Sequence, residues 1–182
     1  MNPTTGELSR RTLLKTSAAT IGAAGIAAVL ASPASAGVKS QNSQHDWRWC
    51  NYCQCLFYEA DYTSGCCPRG CGHNWKGSGN YWCDYGDGPG QGNWCWCYKC
   101  EALWYGGTKG KGKCPMGGGH SKNGSGNYYM HYGTPPGDEQ SGWKWCKKCY
   151  CLCYSNVNGG HCAGNGSHDW GSSGDYYLAY GD

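Results

Sequence analysis

Aliphatic side chains are scarce in this sequence after its first 36 residues. From Gly37 onward there is no isoleucine, and the aliphatic residues other than alanine are Leu56, Leu103, Leu152, Leu178, Val38 and Val157. An ordinary aliphatic core cannot be built from so few side chains. All 16 cysteines, 10 tryptophans and 15 tyrosines lie in this same part of the chain. We therefore expect a small fold held together by disulfides or metal.

A strong excess of either charge is also missing. The chain has 15 Lys and Arg against 12 Asp and Glu. Arg10, Arg11 and Lys15 on one side and Glu7 on the other precede Gly37, which leaves the remainder close to neutral. Phosphate binding requires a concentrated excess of positive charge, so no nucleic-acid partner is predicted.

Signatures of enzymes are missing as well. The chain has no Gly-x-Ser-x-Gly elbow, no phosphate-binding loop and no His-Glu-x-x-His helix. No carboxylate recurs at an equivalent place in the three repeats described below, which leaves an acid pair of the glycosidase type without support. We expect a protein without enzymatic activity.

Residues 1–36 have the pattern of a cleavable export signal. Arg10 and Arg11 precede a mildly apolar run at 17–32 that is rich in alanine and glycine. Paired arginines with such a run resemble a twin-arginine leader, with cleavage before Gly37. The run is shorter than the ~20 residues that a membrane-spanning helix needs. We expect secretion by the twin-arginine route and no membrane span in the mature chain.

The rest of the chain aligns with itself three times, in segments we call repeat 1 (47–86), repeat 2 (94–133) and repeat 3 (143–181). Each begins with Trp-x-Trp-Cys-x-x-Cys, continues with Leu-x-Tyr, and ends with Ser-Gly-Asn/Asp-Tyr and a final Tyr-Gly. The linkers 87–93 and 134–142 are rich in turn-forming residues.

The patterns within a repeat favour strands. Trp-x-Trp places two indoles on one face of an extended segment, and Leu-x-Tyr does the same for a return strand after the cysteine pair. Glycine-rich turns precede the last strand, and no segment has a helical period. We predict an all-β, small cysteine-rich fold of three tandem β-meander repeats, zinc-ribbon-like or stapled by disulfides, that stack on their aromatic faces. Trp49, Trp96 and Trp145 are expected to pack inside it.

A recurring set of three cysteines and one histidine suggests a metal site in each repeat. Cys-x2-Cys is followed, after 13 residues in repeats 1 and 2 and 12 in repeat 3, by Cys-x5-His. Two thiolates from one tight turn, plus a thiolate and an imidazole from a second loop, are typical of a structural Cys3His zinc site. The predicted ligand sets are Cys50, Cys53, Cys67 and His73; Cys97, Cys100, Cys114 and His120; and Cys146, Cys149, Cys162 and His168.

A disulfide framework is the alternative. Nine cysteines in metal sites leave seven others, an odd number, whereas all 16 would pair as eight bridges outside the cell. The seven are Cys55, Cys66, Cys71, Cys83, Cys95, Cys151 and Cys153. Spacing does not decide between metal and disulfides, and in either case the role of the cysteines is structural.

Contact surfaces are predicted where the chain departs from the repeat. Residues 37–46 have no apolar period and are predicted to form a flexible arm, which is either a spacer or an element that docks on another protein. Three tryptophans lie outside the frame shared by all repeats. The predicted partner-binding residues are Val38, Lys39, Ser40, Gln41, Asn42, Trp75, Trp82 and Trp170.

The Trp-x-Trp-Cys-x-x-Cys and Cys-Pro-x-Gly elements, with the leader and the short arm, resemble small secreted actinobacterial repeat proteins, and in size and layout the UmbB-type adaptors of the umbrella toxin particles of Streptomyces. This resemblance implies a non-enzymatic linker that joins a long toxin subunit to a subunit with a trypsin-like, often lectin-bearing body, with the arm in a groove of that partner. We expect a secreted interaction adaptor whose partners are other secreted protein subunits. The alternative is a secreted carbohydrate- or cell-wall-binding repeat module.

Overall fold

The computed structural model describes residues 42–61, 63–157 and 160–181. These residues form an all-β, cysteine-rich body without helices, so none of them belongs to a helix able to cross a membrane. The predicted leader and residues 37–41 of the arm lie outside the described residues. The strands are β1 (Ser43–Trp49), β2 (Leu56–Tyr58), β3 (Cys66–Cys67), β4 (Gly70–Cys71), β5 (Asn80–Tyr85), β6 (Gln91–Trp96), β7 (Leu103–Tyr105), β8 (Tyr128–Tyr132), β9 (Gln140–Trp145), β10 (Leu152–Tyr154), β11 (Tyr176–Leu178) and β12 (Tyr180–Gly181).

Each Trp-x-Trp strand lies between two antiparallel partners. In repeat 1, β1 pairs with β2, with Trp47 opposite Tyr58, and on its other edge with β5, with Trp47 opposite Tyr81. β6 lies in the same way between β7 and β8, and β9 between β10 and β11. This order differs from a meander because the third strand returns to the first strand and not to the second. The loop between the second and third strands carries the third cysteine and the histidine. It passes the cysteine turn on its way to the free edge of the first strand.

Strand β1 begins earlier than the predicted arm allows. Ser43 and Gln44 already pair with Asp84 and Cys83 of β5, and the Asn42 carbonyl accepts a hydrogen bond of 2.9 Å from the Tyr85 amide. Residues 43–46 therefore belong to the sheet, and an arm could extend only up to Asn42. The sequence does not reveal this because polar residues suit an edge strand as well as a loop.

The register of the Trp-x-Trp strands shifts at the residue that precedes the first tryptophan. Asp46, Asn93 and Gly142 occupy this place with φ of 67°, 67° and 89°. Asp, Asn and Gly tolerate this left-handed conformation better than other residues do, which explains why they stand here. The resulting bulges bend each strand locally and increase its twist.

The strands close into a ring. The third strands join in succession, with Tyr85 of β5 opposite Tyr128 of β8, and Tyr132 of β8 opposite Tyr176 of β11. The last strand, β12, returns to β5 and places Tyr180 opposite Tyr81. A second circle of single bridges joins the return strands through the pairs Phe57 and Ala102, Trp104 and Cys151, and Cys153 and Cys55. The same contact thus occurs three times in each circle, and the last strand of repeat 3 is paired with the third strand of repeat 1.

Two buried clusters replace the missing aliphatic core. One contains the first tryptophan of each repeat, fully buried, with the three leucines that follow the cysteine pairs. Aromatic rings of neighbouring repeats meet there edge to face. The ring centres of Trp47 and Tyr128 are 5.2 Å apart, and those of Trp94 and Tyr176 are 5.3 Å apart. Edge-to-face contacts add to the free energy gained from burying these large rings. The second cluster consists mainly of cysteines and is the candidate site.

Candidate metal centres

Each Cys-x2-Cys pair lies in the tight turn between a Trp-x-Trp strand and its return strand. In repeat 1 the Gln54 amide donates to the Cys50 carbonyl at 2.7 Å, and the Cys50 amide to the Cys55 carbonyl at 3.0 Å. The residue after the second cysteine has positive φ in every repeat, 65° at Gln54, 66° at Glu101 and 69° at Tyr150. A non-glycine residue in this region costs roughly 1–2 kcal/mol. Three such turns indicate a requirement to aim both thiols at one point.

The following loop brings the third thiol and the imidazole to that point. In each predicted set the four ligand atoms lie within 4.8 Å of one another. Zinc bonds of about 2.3 Å to sulfur and 2.0–2.1 Å to nitrogen imply sulfur atoms about 3.8 Å apart and sulfur–nitrogen distances of about 3.5 Å in a tetrahedron. Cys50 Sγ is 3.9 Å from Cys67 Sγ, and Cys53 Sγ is 3.5 Å from His73 Nδ1.

The other two sets have nearly the same dimensions. Cys100 Sγ lies 3.5 Å from His120 Nδ1, and Cys149 Sγ lies 3.6 Å from His168 Nδ1. In repeat 3 the other sulfur pair, Cys146 and Cys162, is 3.8 Å apart. All twelve ligands are buried or nearly so, with His168 the most exposed at 9%. These buried Cys3His groups can each hold a metal ion.

The histidines are oriented by the neighbouring repeat. Their Nε2 atoms lie 2.8–2.9 Å from backbone carbonyl oxygens: His73 from Cys100, His120 from Cys149 and His168 from Cys53. A carbonyl oxygen only accepts, so Nε2 carries the proton and Nδ1 is left as the metal ligand. Each carbonyl belongs to a cysteine ligand of another set. The three candidate centres are therefore linked in a circle, which the sequence does not reveal.

Backbone amides support the sulfur atoms. The Asn74 amide donates to Cys50 Sγ at 3.4 Å, and the Asp169 amide makes the same bond to Cys146 Sγ in repeat 3. A further bond of 3.3 Å runs from the Gly164 amide to Cys162 Sγ. Hydrogen bonds of this kind favour the thiolate form, the form in which cysteine binds metal.

Thiols of one set differ in pKa because they share protons. Hydrogen bonds with Cys53 and then Cys67 hold the pKa of Cys50 far below its usual value, and a hydrogen bond with Cys100 does so for Cys97. Burial raises the pKa of Cys53, and the hydrogen bond with Cys50 raises the pKa of Cys67. In repeat 1, then, Cys50 is the thiol that is readily anionic without a cation. A divalent ion would compensate the charge of all three.

The pKa of the histidine in repeat 3 is shifted by the thiols of its own set. Burial alone lowers the pKa of His168, but hydrogen bonds with Cys146 and Cys149 and their negative charge outweigh burial and raise the pKa to about 10. A proton on Nδ1 of this ring would occupy the place at which a metal binds. Metal binding at this set would therefore release protons.

Aromatic rings cover the histidines. Phe57 stacks on His73 with ring centres 4.3 Å apart, and Trp104 stacks on His120 at 5.4 Å. At the equivalent place repeat 3 has Cys153, and Trp170 stacks on His168 instead, at 5.1 Å. Predicted as a contact residue, Trp170 is half-buried and packs against the cysteine cluster.

The other predicted contact residues differ in exposure. Trp75 is 45% exposed, Trp82 is half-buried, and Asn42 is exposed. Val38, Lys39, Ser40 and Gln41 lie outside the described residues. Trp49, Trp96 and Trp145, expected inside the fold, are half-buried against the aromatic cluster.

Four of the seven cysteines outside the predicted sets lie in two different surroundings. Cys83 takes a core position that Met130 and Leu178 occupy in the other repeats, and it packs there as a small apolar side chain. Cys55 and Cys153 instead lie beside His168 of repeat 3, and Cys151 Sγ lies 3.5 Å from Nε2 of His120 in repeat 2. Cys55, Cys149, Cys153 and His168 form a fourth group of closely spaced donor atoms. Sequence reasoning missed this group, although alternation of the three cysteines with Leu56 and Leu152 indicated a common face. Apart from Cys66, the fourteen other cysteines whose side chains are described are free thiols in this structure.

No known protein family, curated protein or solved structure matches the chain.

Proposed function

We propose that the protein is a secreted, non-enzymatic interaction adaptor whose three Cys3His sets hold structural zinc. Four protein ligands complete a tetrahedron, so such an ion has no open position for a water or a substrate. The spacing of sulfur and nitrogen atoms supports zinc over disulfide pairing within the sets, because bonded sulfurs are about 2.05 Å apart.

The observation that carries the adaptor proposal is an exposed aromatic and arginine surface found in repeat 1 alone. Tyr52 is 36% exposed, and the Arg69 guanidinium lies 4.4 Å over its ring. Nearby, the Arg48 guanidinium lies 5.4 Å from the centre of the exposed Trp75 ring. A shallow depression between them is lined by side chains that include Tyr52, Trp75 and Lys76. We call Arg48, Tyr52, Arg69 and Trp75 the repeat 1 patch.

The patch has the composition of a protein contact site. Trp, Tyr and Arg dominate the residues that contribute most to protein–protein affinity. Its chemistry is not required by the fold, because lysines replace Tyr52 in the other repeats, at Lys99 and Lys148. Two arginines beside exposed rings suit a partner surface that carries carboxylates. The resemblance to toxin-particle adaptors supports the same role, with the patch and the predicted arm as two contacts.

A pull-down tests the proposal. The protein is purified from the culture medium of its native source, copurifying proteins are identified by mass spectrometry, and the partner's affinity is then measured for variants. Trp75→Lys introduces the residue that repeat 2 has at this place, Lys122, and is expected to weaken binding at least tenfold. The control Tyr98→Lys changes an equally exposed ring, 48% exposed, in repeat 2 and is expected to bind normally. Purification of the chain alone, or equal binding by both variants, would contradict the adaptor role.

A second candidate function, carbohydrate binding, is favoured by one observation. Tyr85, Tyr132 and Tyr180 occupy equivalent places in the three repeats and are 42%, 61% and 49% exposed. Aromatic faces repeated around a ring suit a polysaccharide bound at several equivalent sites. Retention on insoluble cell-wall polysaccharide, lost when all three tyrosines are changed to serine and kept in Trp75→Lys, would support this function over the adaptor.

A further inference from the structure

Three buried cysteines near the centre of the ring belong to none of the Cys3His sets. Cys55 and Cys151 are each 3% exposed, and Cys153 is fully buried. They flank the leucines of strands β2 and β10, on the face opposite those leucines. This places them in the cysteine cluster, where return strands of different repeats meet.

The circle of bridges between return strands brings two of them together. Its three bridges pair Phe57 with Ala102, Trp104 with Cys151, and Cys55 with Cys153. Cysteines face each other only at the third bridge, which joins the first return strand to the last. The place of Cys153 holds an aromatic ring in the other repeats, and the place of Cys55 holds Ala102 in repeat 2 and Cys151 in repeat 3.

The backbone geometry of this bridge suits a disulfide. The Tyr154 amide donates to the Gln54 carbonyl at 2.8 Å, and this hydrogen bond lies beside the pair of Cys55 and Cys153 and does not join the two residues directly. In an antiparallel pair of this kind the Cα atoms are about 4.5 Å apart and the side chains approach most closely. Disulfides occur at Cα separations of about 4.4–6.8 Å.

A fourth metal site is a poorer explanation of these cysteines. The group that contains Cys55 and Cys153 includes Cys149 and His168, which are ligands of the repeat 3 set. Nδ1 of His168 lies 3.6 Å from Cys149 Sγ and 3.8 Å from Cys153 Sγ, and its Nε2 donates to the Cys53 carbonyl. Once repeat 3 holds its own ion, Cys55 and Cys153 are left as a pair of sulfurs, too few for a tetrahedral site.

Cys55 and Cys153 are both free thiols in this structure. We infer that on oxidation they form a disulfide that closes the ring covalently between its first and last repeats. A low-molecular-weight disulfide such as oxidised glutathione is the oxidant. The Cys153 thiolate attacks one glutathione sulfur and displaces a glutathione thiolate. The Cys55 thiolate then attacks the Cys153 sulfur of the mixed disulfide and displaces the second glutathione. Two protein thiols are oxidised, one glutathione disulfide is reduced to two thiols, and the protons of the protein thiols pass to the released glutathione.

The burial of both sulfurs determines when the exchange takes place. No glutathione molecule reaches a sulfur that is 3% exposed or less while β2 and β10 are paired. The bond therefore forms while the ring is open, during folding, and in the folded protein it resists reduction. This inference does not depend on the adaptor function or on the identity of a partner.

Peptide mapping tests the bond directly. The protein is refolded with zinc and a mixture of reduced and oxidised glutathione, blocked with N-ethylmaleimide in denaturant, and cleaved with chymotrypsin without reduction. Cleavage at Tyr52, Leu56 and Leu152 isolates the two segments, and tandem mass spectrometry is expected to find Cys55 linked to Cys153. Recovery of both residues as maleimide adducts would overturn the inference.

Thiol counting in variants provides a second measurement. The starting variant for this comparison is Cys151→Ala. It gives repeat 3 the alanine that repeat 2 has at Ala102, and it removes a thiol that competes with Cys153 for Cys55. Adding Cys55→Ala is expected to raise the number of maleimide-reactive thiols by one, because Cys153 loses its partner. The control adds Cys83→Met, which introduces the residue that repeat 2 has at this place, Met130. It is expected to lower the number of maleimide-reactive thiols by one. A loss of one thiol in both double variants would mean that Cys55 is free and the inference wrong.

Discussion

The His168 ring donates a hydrogen bond from Nε2 to the Cys53 carbonyl across 2.8 Å, which joins the last repeat to the first. His73 and His120 make the same bond to Cys100 and Cys149. Each histidine thus serves two functions, since Nδ1 faces its own thiols and Nε2 contacts the next cysteine turn. A metal ion held on Nδ1 would thus be coupled through the same ring to docking on the next repeat.

The two functions of His168 can be separated by substitution with cysteine. His168→Cys supplies a fourth sulfur for zinc but no donor for the Cys53 carbonyl. We expect the variant to retain three zinc ions per chain by elemental analysis and to lose about 1 kcal/mol of unfolding free energy in guanidinium titrations. Loss of one zinc ion would mean that the site does not tolerate sulfur at this place, and unchanged stability would mean that the bond to Cys53 contributes nothing.

Zinc stoichiometry should distinguish ligand cysteines from core cysteines. Cys97→Ala removes a ligand from repeat 2 and is expected to lower the zinc content from three ions per chain to two. Cys83→Ala removes a cysteine that is equally buried but packs in the aromatic cluster, so three ions should remain. Atomic emission measured on both purified variants checks this. Zinc-free protein with all its cysteines oxidised would refute the metal sites.

Close approach between repeats should make one glycine irreplaceable. Gly112 has φ of 58°, and a Cβ atom there would lie 2.2 Å from the Cys149 carbonyl oxygen. Gly112→Ala is expected to cost about 2–4 kcal/mol, the sum of the unfavourable φ and displacement of the neighbouring cysteine turn. Gly117→Ala is the control, because Gly117 also has positive φ, 89°, but nothing lies within 4 Å. It should cost only about 1 kcal/mol in the same denaturant titration.

Three buried tyrosines should make the fold sensitive to alkali. Burial raises the pKa of Tyr81 and of Tyr176 to about 12, and it also raises the pKa of Tyr128. Their unfolded pKa is near 10, so above pH 10 the unfolded chain loses protons that the folded chain retains, and stability falls as pH rises from 10 to 12. Each tyrosine contributes a slope of up to about 1.4 kcal/mol per pH unit.

Tyr81→Phe isolates one of these contributions. The variant loses the hydrogen bond to Gln140, which lowers its stability at pH 8, but its stability should then fall less steeply between pH 10 and 12. Urea titrations at several pH values, with reductant and zinc present, measure both slopes. Identical slopes would show that Tyr81 ionises equally in the folded and unfolded chains.

The strands and the ligand sets could be predicted because both depend on local patterns. The two tryptophans of each repeat and the cysteine pair after them define a strand and a turn over a few residues. The step from Cys67 to His73 is preserved from Cys162 to His168, so the same loop can close each set. Recurrence of one spacing is strong evidence for a common geometry.

The closure of the ring could not be predicted from such patterns. It depends on contacts between distant residues, such as Tyr180 opposite Tyr81, and a tyrosine is equally suited to a core, an edge or a surface. The bonds from the histidines to carbonyl oxygens involve backbone acceptors, which have no sequence signature. The pairing of β5 with β1 likewise depends on the path of the loop that carries Cys67 and His73. The alternation of residues along a strand does not indicate that path.

Strand β5 pairs with both β1 and β12, so the two ends of the described chain lie on one strand. A short peptide between Gly181 and Asn42 could therefore replace either linker, 87–93 or 134–142, as the connection between neighbouring repeats. Circularly permuted chains that begin with repeat 2 or repeat 3 should fold to the same body. The order of the repeats along the gene would then determine only which repeat surface lies next to the amino terminus. A permutation of the gene would change that surface and leave the fold the same.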